Sequence, residues 1–426
     1  MAQPSNRRLE QDNGDKLDED LGQWHFCFGH SPAVDIYLKA KNGKAWLVPK
    51  FLNALFRGIG QATFANNPFS GILIFTGIVW HSLMLGWIQL LAGTTAIITA
   101  LLINVNPALI TSGSISFNSI LLATVTTSIC DSNPLFGVPV GSKFLMFIIV
   151  GSSLSVFITD ALSNISNSFK PSIPILSIPF HILAVIIMTG LRITVSEITE
   201  EENSDSRHAL VAATNQLDGS VFNETTSLPK TEDWITEYID LNPSFYSYET
   251  LQNSLMAVIL SGGQVFGIND LFSSLLVYAG LMMYSPILTF MCLLGATTAT
   301  LFGLFISPFP NVTVFDGIWG FNGLLSCGAI GLFYVFRFQS VIHGIASVCF
   351  TAFLQLSLSN SFQQTKVPVL AFPFLISTII FVCGLTYGQK LVRVPKITFP
   401  ELHKKLFKRQ RLRDEELGVQ QGLMNG

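Results

Sequence analysis

Gln61 and Gln264 stand 203 positions apart, the first behind Gly58-Ile59-Gly60 and the second behind Gly262-Gly263. A carboxamide can donate and accept hydrogen bonds without carrying charge. Phe117-Asn118 and Phe321-Asn322 form a second matched pair, each a ring followed by an amide able to hold freed backbone groups. Such side chains break no covalent bonds. They exchange hydrogen bonds with a polar solute, replacing water partners by protein partners of similar strength. A narrow slot between rings, edged by acceptors in a row, suits a small flat neutral molecule rich in N–H donors.

Catalytic constellations are missing. The ionisable residues near the apolar stretches are His81, Asp131, Asp160, His181, Arg192, Asp270, Asp316, Arg337 and His343, and most fall at segment ends, where capping or snorkelling suits them. The histidines show no metal spacing, and the 6 cysteines have no CxxC pattern. No cofactor is therefore expected. An ion-coupled carrier needs a buried carboxylate, and only Asp270 sits in a repeated motif. Asp270 aligns with Asn67, which favours a helix-end role for both. With a net charge of −3 and no basic patch interleaved with aromatics, nucleic acid is no partner.

The elements that must position these groups repeat. Thr94-Thr95-Ala96 returns as Thr297-Thr298-Ala299, and Pro174-x-Leu176-x-x-Pro179-Phe180 returns as Pro368-x-Leu370-x-x-Pro373-Phe374. Blocks in one order at nearly constant offset mark a duplication. The chain has 426 residues, 49% hydrophobic and 12% charged, and between Ala45 and Val195 only Lys50, Arg57, Asp131, Lys143, Asp160, Lys170 and Arg192 carry charge. Composition of that kind predicts a multi-pass protein whose partner is the lipid bilayer. Six apolar segments are expected per half, at 45–64, 69–83, 84–105, 116–130, 143–163 and 173–195, then 250–267, 272–287, 288–307, 318–333, 338–360 and 367–388. The segment at Phe117 is too short for a comfortable span and reads as a re-entrant half-helix enclosed by protein. Five crossings per half, an odd number, invert the second copy relative to the first.

Residues 1–45 are polar and read as a largely unstructured cytosolic arm. Residues 46–195 form membrane repeat 1 and 251–388 membrane repeat 2. Residues 196–250 form an acidic loop with an N-glycosylation sequon at Asn223, which places that loop outside. Residues 389–426 carry Lys390, Arg393, Lys396, Lys404, Lys405, Lys408, Arg409, Arg411 and Arg413, a basic cytosolic tail. Both termini are thus expected in the cytosol.

In this order and setting, the Gly-Ile-Gly-Gln…Asn-Asn-Pro…Ser-Gly opening, Trp319-Gly-Phe-Asn and the two Pro-Phe elements resemble the urea transporter family. The resemblance runs from about Lys44 to Gly388. It implies an all-α membrane protein of two inverted homologous repeats, each of about five transmembrane helices plus re-entrant half-helices. It also implies a central pore per protomer, a homotrimer in the plasma membrane, and urea passing down its gradient. Carried over to this chain, the pore residues are Gln61, Phe64 and Phe117 in one repeat and Gln264 and Phe321 in the other. Leu121 and Leu325, four residues past the rings, would pinch the midpoint. Gly267 occupies the position matching Phe64, with Phe266 beside it. Where the family has threonine in each signature element, this chain has Ser177 and Ala371, which opens alternatives: a channel for ammonia, water or small amides, or, less favoured, an ion-coupled carrier.

Overall fold

The computed structural model describes residues 27–132, 142–169, 172–190, 248–307, 312–362, 367–384 and 391–424. After α1 (Pro32–Ala40) and a short 3-10 turn (Lys44–Trp46), seven helices follow in the first half. They are α2 (Leu47–Gln61), α3 (Pro68–His81), α4 (Leu83–Leu102), α5 (Pro107–Thr111), α6 (Phe117–Ser132), α7 (Ser142–Asn167) and α8 (Ile178–Gly190). Seven more occur in the same order in the second half: α9 (Tyr248–Gln264), α10 (Leu271–Tyr284), α11 (Pro286–Ile306), α12 (Val312–Phe315), α13 (Ile318–Phe333), α14 (Phe338–Phe362) and α15 (Phe372–Cys383). A tail helix, α16 (Pro400–Met424), ends the chain. The apolar segments read from sequence match these helices closely. The short α5 and α12 escaped that reading, because a single turn has no periodicity to detect; Asn106 starts α5 by accepting from Ala108 N–H at 3.0 Å, with Pro107 at its first position.

The duplication extends to individual hydrogen bonds. After α2, Thr63 N–H donates to Gly60 O, Phe64 N–H to Gln61 O and Ala65 N–H to Gly60 O. After α9 the same three bonds run from Phe266 to Gly263, Gly267 to Gln264 and Ile268 to Gly263. Asn67 then caps α3, accepting from Phe69 N–H at 2.8 Å and Ser70 N–H at 3.3 Å. Asp270 caps α10, accepting from Ser273 N–H at 2.8 Å. Both residues therefore hold helix ends, as their alignment suggested. Ser82 and Ser285 cap α4 and α11 in turn, accepting from Leu85 N–H and Leu288 N–H.

Helices α4, α7, α11 and α14 are long and apolar enough to cross a bilayer among the described residues. At 1.5 Å per residue the 20 residues of α4 span about 30 Å, the thickness of the hydrocarbon layer. The 16 residues of α6 or α13 reach only about 24 Å. Helix α13 is buried on all sides from Trp319 to Phe333, so protein encloses it, which is what a helix too short for the bilayer requires. Helices α3 and α10 pack antiparallel: Gly77 abuts Ser273, whose Oγ lies 2.9 Å from Gly77 O, while Gly280 abuts Ser70 and Ile74. One apolar core joins the two halves.

Residues 27–46 are folded, unlike the unstructured arm that their polar composition suggested. Arg57, 2% exposed inside the bundle, explains why. Its Nη2 lies 3.0 Å from Asp35 Oδ1 and donates to His30 O at 2.7 Å. Its Nη1 donates to Asn66 O at 2.9 Å and Asn66 Oδ1 at 2.8 Å, and Nε to Asn53 Oδ1 at 3.3 Å. A guanidinium held inside the bundle needs those partners, and half of them come from the arm. Asn223 and the acidic loop around it lie outside the described residues.

Candidate functional site

A cavity of about 370 Å³ runs into the bundle between the two halves. Gln61, Phe64, Phe117, Leu121 and Ser177 line it from the first repeat, and Phe321, Leu325 and Ala371 from the second. Eight of the nine positions singled out from sequence thus meet on one wall system. Gln264 is not among the described lining residues, although Val265 beside it is; its Nε2 donates to Asp316 O at 2.8 Å, bracing the turn before α13. Along α13 the lining runs from Phe333 to Phe321, about 18 Å of axial depth.

Two asparagines hold the turns behind the wall, and Asn118 itself lines it. Asn118, on α6, accepts from Phe180 N–H at 3.3 Å and donates to Leu176 O at 3.5 Å. Asn322, on α13, accepts from Phe374 N–H at 3.2 Å and donates to Leu370 O at 3.3 Å, and also to Gln355 Oε1 at 2.9 Å. Each amide clamps the broken backbone just before α8 or α15. Leu176 and Leu370 pass through the left-handed region there, with φ of 49° and 55°. Non-glycine residues avoid that region at a cost of about 1–2 kcal/mol, so the clamp holds strain in place. The clamped turns present Ser177 and Ala371 to the cavity. Ser177 Oγ is buried with no partner among the described residues.

The turn after α2 carries the same kind of strain. Phe64 has φ 67° and points its ring into the cavity wall, near Phe374 with ring centroids 6.1 Å apart. Gly267, its counterpart, has φ 72° and no ring. Gln61 lines the cavity, and its Oε1 is buried without a partner among the described residues.

A scan against family models matches residues 52–386 to the urea transporter family. The chain belongs to that family. It is similar to urea transporter 1 of Capra hircus, 25% identical over 366 residues covering 84% of each chain. It is likewise similar to urea transporter 1 of Ovis aries, at 25%, and of Rattus norvegicus, 22% identical over 359 residues and 83% of each chain. As a member of the urea transporter family the protein is a transporter and not an enzyme.

For a urea transporter family member, the sequence reading left part of this cavity unnoticed. Thr159, Ser163 and Ser166 line it from one face of α7, at spacings of four and three that a helical-period scan for hydroxyls would have found. Thr159 Oγ1 donates to Ser155 O and Ser163 Oγ to Thr159 O, both at 2.7 Å, and Ser166 Oγ donates to Ile173 O. Each hydroxyl proton is thus directed at the backbone, which leaves oxygen lone pairs to accept from a solute's N–H groups. Ser172 and Arg393 also line the cavity. Arg393 comes from the tail, where sequence showed only a run of positive charge. Asp270 is an ordinary cap, its carboxylate held by Ser273 N–H and Oγ, and it takes no part in this cavity.

At the arm, outside the helices that cross the bundle, burial sets protonation. His30 packs edge-on against Tyr284 and Phe399, with centroids 5.7 and 5.6 Å away, and burial beside Arg57 lowers its pKa to about 4. Burial likewise lowers His403 to about 4, leaving its Nε2 neutral to accept from Thr398 N–H at 2.8 Å. Burial raises the pKa of Asp35, with Arg57 opposing.

Proposed function

We propose that the cavity is one vestibule of a pore that carries urea down its gradient across the plasma membrane. Urea transport itself follows from the family. The observation that carries the pore reading is one continuous wall built by both halves from amide, ring and hydroxyl positions that sequence had paired. Gln61 and the α7 hydroxyls accept urea's N–H groups, Phe64, Phe117 and Phe321 enclose its flat faces, and Leu121 with Leu325 narrows the path. Ser177 and Ala371 stand at the constriction. Gln264 serves the opposite mouth.

The two halves act as inverted repeats, each contributing five crossings and a half-helix. The reciprocal contacts of Gly77 with Ser273 and of Gly280 with Ser70 support this, since a two-fold axis pairs residues in that way. Both termini lie in the cytosol; the meeting of His30 with Phe399 supports a common side for them. The functional unit is a homotrimer with a pore in each subunit, and Asn223 is glycosylated on the outside.

The test is radiolabelled urea flux into vesicles holding the purified protein, with and without proton or Na⁺ gradients. Flux that follows the urea gradient alone supports the channel. Uphill accumulation driven by either ion replaces it with a carrier.

A further inference from the structure

Among the described residues lining the cavity, Arg393 alone is charged. It sits on the segment Leu391–Ile397, which is fastened beneath the end of α13: Val335 N–H donates to Val392 O and Val394 N–H to Phe333 O, both at 2.9 Å. Arg393 itself reaches across to the first repeat, where Nη2 donates to Ser172 O at 2.7 Å. Tail, second repeat and first repeat therefore meet at this one residue. Nη1 is buried with no partner among the described residues, and no described carboxylate pairs with the guanidinium. An arginine in a protein does not lose its proton, so the charge is permanent.

We infer that Arg393 is a selectivity residue of the vestibule, rejecting cations by its fixed charge. The inference rests on the pore reading above. Its physical basis is the contrast between the arginine and everything around it. The rings, leucines and hydroxyls of the wall treat any small flat molecule with N–H groups alike, and they offer nothing that tells urea from a planar cation of the same shape. A fixed positive charge makes that distinction, and low-dielectric walls extend its reach.

Guanidinium is the probe that isolates charge, being planar, rich in N–H and close to urea in size. The quantity to read is the guanidinium-to-urea permeability ratio of the full-length protein in vesicles. Arg393→Gln should raise that ratio roughly tenfold, equivalent to about 1.4 kcal/mol. Arg393→Glu should raise it further, and Arg393→Lys should keep it low because the charge stays. In the unaltered protein, raising ionic strength from low to high should also raise the ratio through screening, and Arg393→Gln should remove that salt dependence. A merely structural arginine would show neither the lysine rescue nor the salt effect. Urea flux with a ratio that ignores both substitution and salt overturns this proposal alone. No urea flux in the unaltered protein overturns the pore reading and this proposal with it.

Discussion

Residues 64 and 267 occupy one turn in two copies, and they differ by a whole side chain. Both have positive φ, both donate to the glutamine carbonyl three residues before, and both precede a capped helix. The second copy takes glycine, the residue for which that backbone is free. The first takes phenylalanine, against the strain, and its ring forms cavity wall. The backbone of the turn is thus a property of the repeat, and the side chain upon it a property of the site. Arg57 and Leu260 show the same division. The helices that carry them match, yet among the described residues only Arg57 holds an arm.

Exchanging residues between copies probes that contrast. The largest effect should come from Arg57→Leu, which imports the second repeat's residue. It leaves Asp35 without its ion partner and His30 O without its donor, a loss of about 3 kcal/mol or more from the docked arm. Limited proteolysis should then cut within 27–46, and an arm as resistant as before would refute the assignment.

Asn322→Ala should come next. It strips buried Phe374 N–H and Leu370 O of their partner, about 2–3 kcal/mol in melting stability. Asn118→Ala should cost less, because its bonds are longer and Asn322 alone also holds Gln355. Equal losses would mean that the two clamps are energetically alike.

A subtler exchange is Phe64→Gly. Stability should rise by up to about 1 kcal/mol as the strain is relieved, while urea flux falls several-fold with the loss of the wall. Opposite signs in a melt and in a flux assay would separate site from scaffold. Both moving downward would mean that the ring is mainly packing.

The smallest exchange is at the constriction. Ala371→Thr restores a hydroxyl and narrows the opening, and Ser177→Ala removes the remaining one. Each should shift the ratio of urea to methylated-urea permeability by tenfold or less, in keeping with about 0.5–1.5 kcal/mol for one hydrogen bond. An unchanged ratio in both would take these positions off the path.

Acidity should act on the arm and on the tail that packs against it. His30 and His403 are held near pKa 4 against about 6.5 when unfolded, so the unfolded state binds more protons between those values. Their stabilising contribution is complete above pH 6.5 and lost as pH falls toward 4, up to about 3 kcal/mol for each. Hydrogen exchange in residues 27–46 should quicken over that window while α13 stays protected.

Where two copies carry the same or a closely related residue for the same reason, the sequence was enough. Asn118 with Asn322, and Asn67 with Asp270, were legible because duplication shows which polar residue serves the backbone. The segments were legible because lipid demands long apolar runs. Two of the features that escaped have no echo. Arg57 belongs to one copy and Arg393 to the tail, and their importance lies in contacts between segments far apart in the chain. The α7 hydroxyls did leave a trace, since Ser155-Val156-x-x-Thr159 returns as Ser347-Val348-x-x-Thr351 with the same hydroxyl-to-carbonyl bond. Nothing local to Arg57 announces that residues 27–46 will fold onto it.

The cluster of His30, Tyr284 and Phe399 brings together the beginning, middle and end of the chain. During synthesis the arm emerges first, yet the last of those rings is made only after every membrane helix. The arm can therefore settle on Arg57 and Asn67 as soon as the first repeat is made, whereas its aromatic cover arrives only with the tail. A chain truncated before Phe399 would carry every described membrane helix and keep the polar latch of residues 27–46, but leave His30 without one of its two covering rings, so assembly of the arm proceeds in two stages separated by nearly the whole of translation.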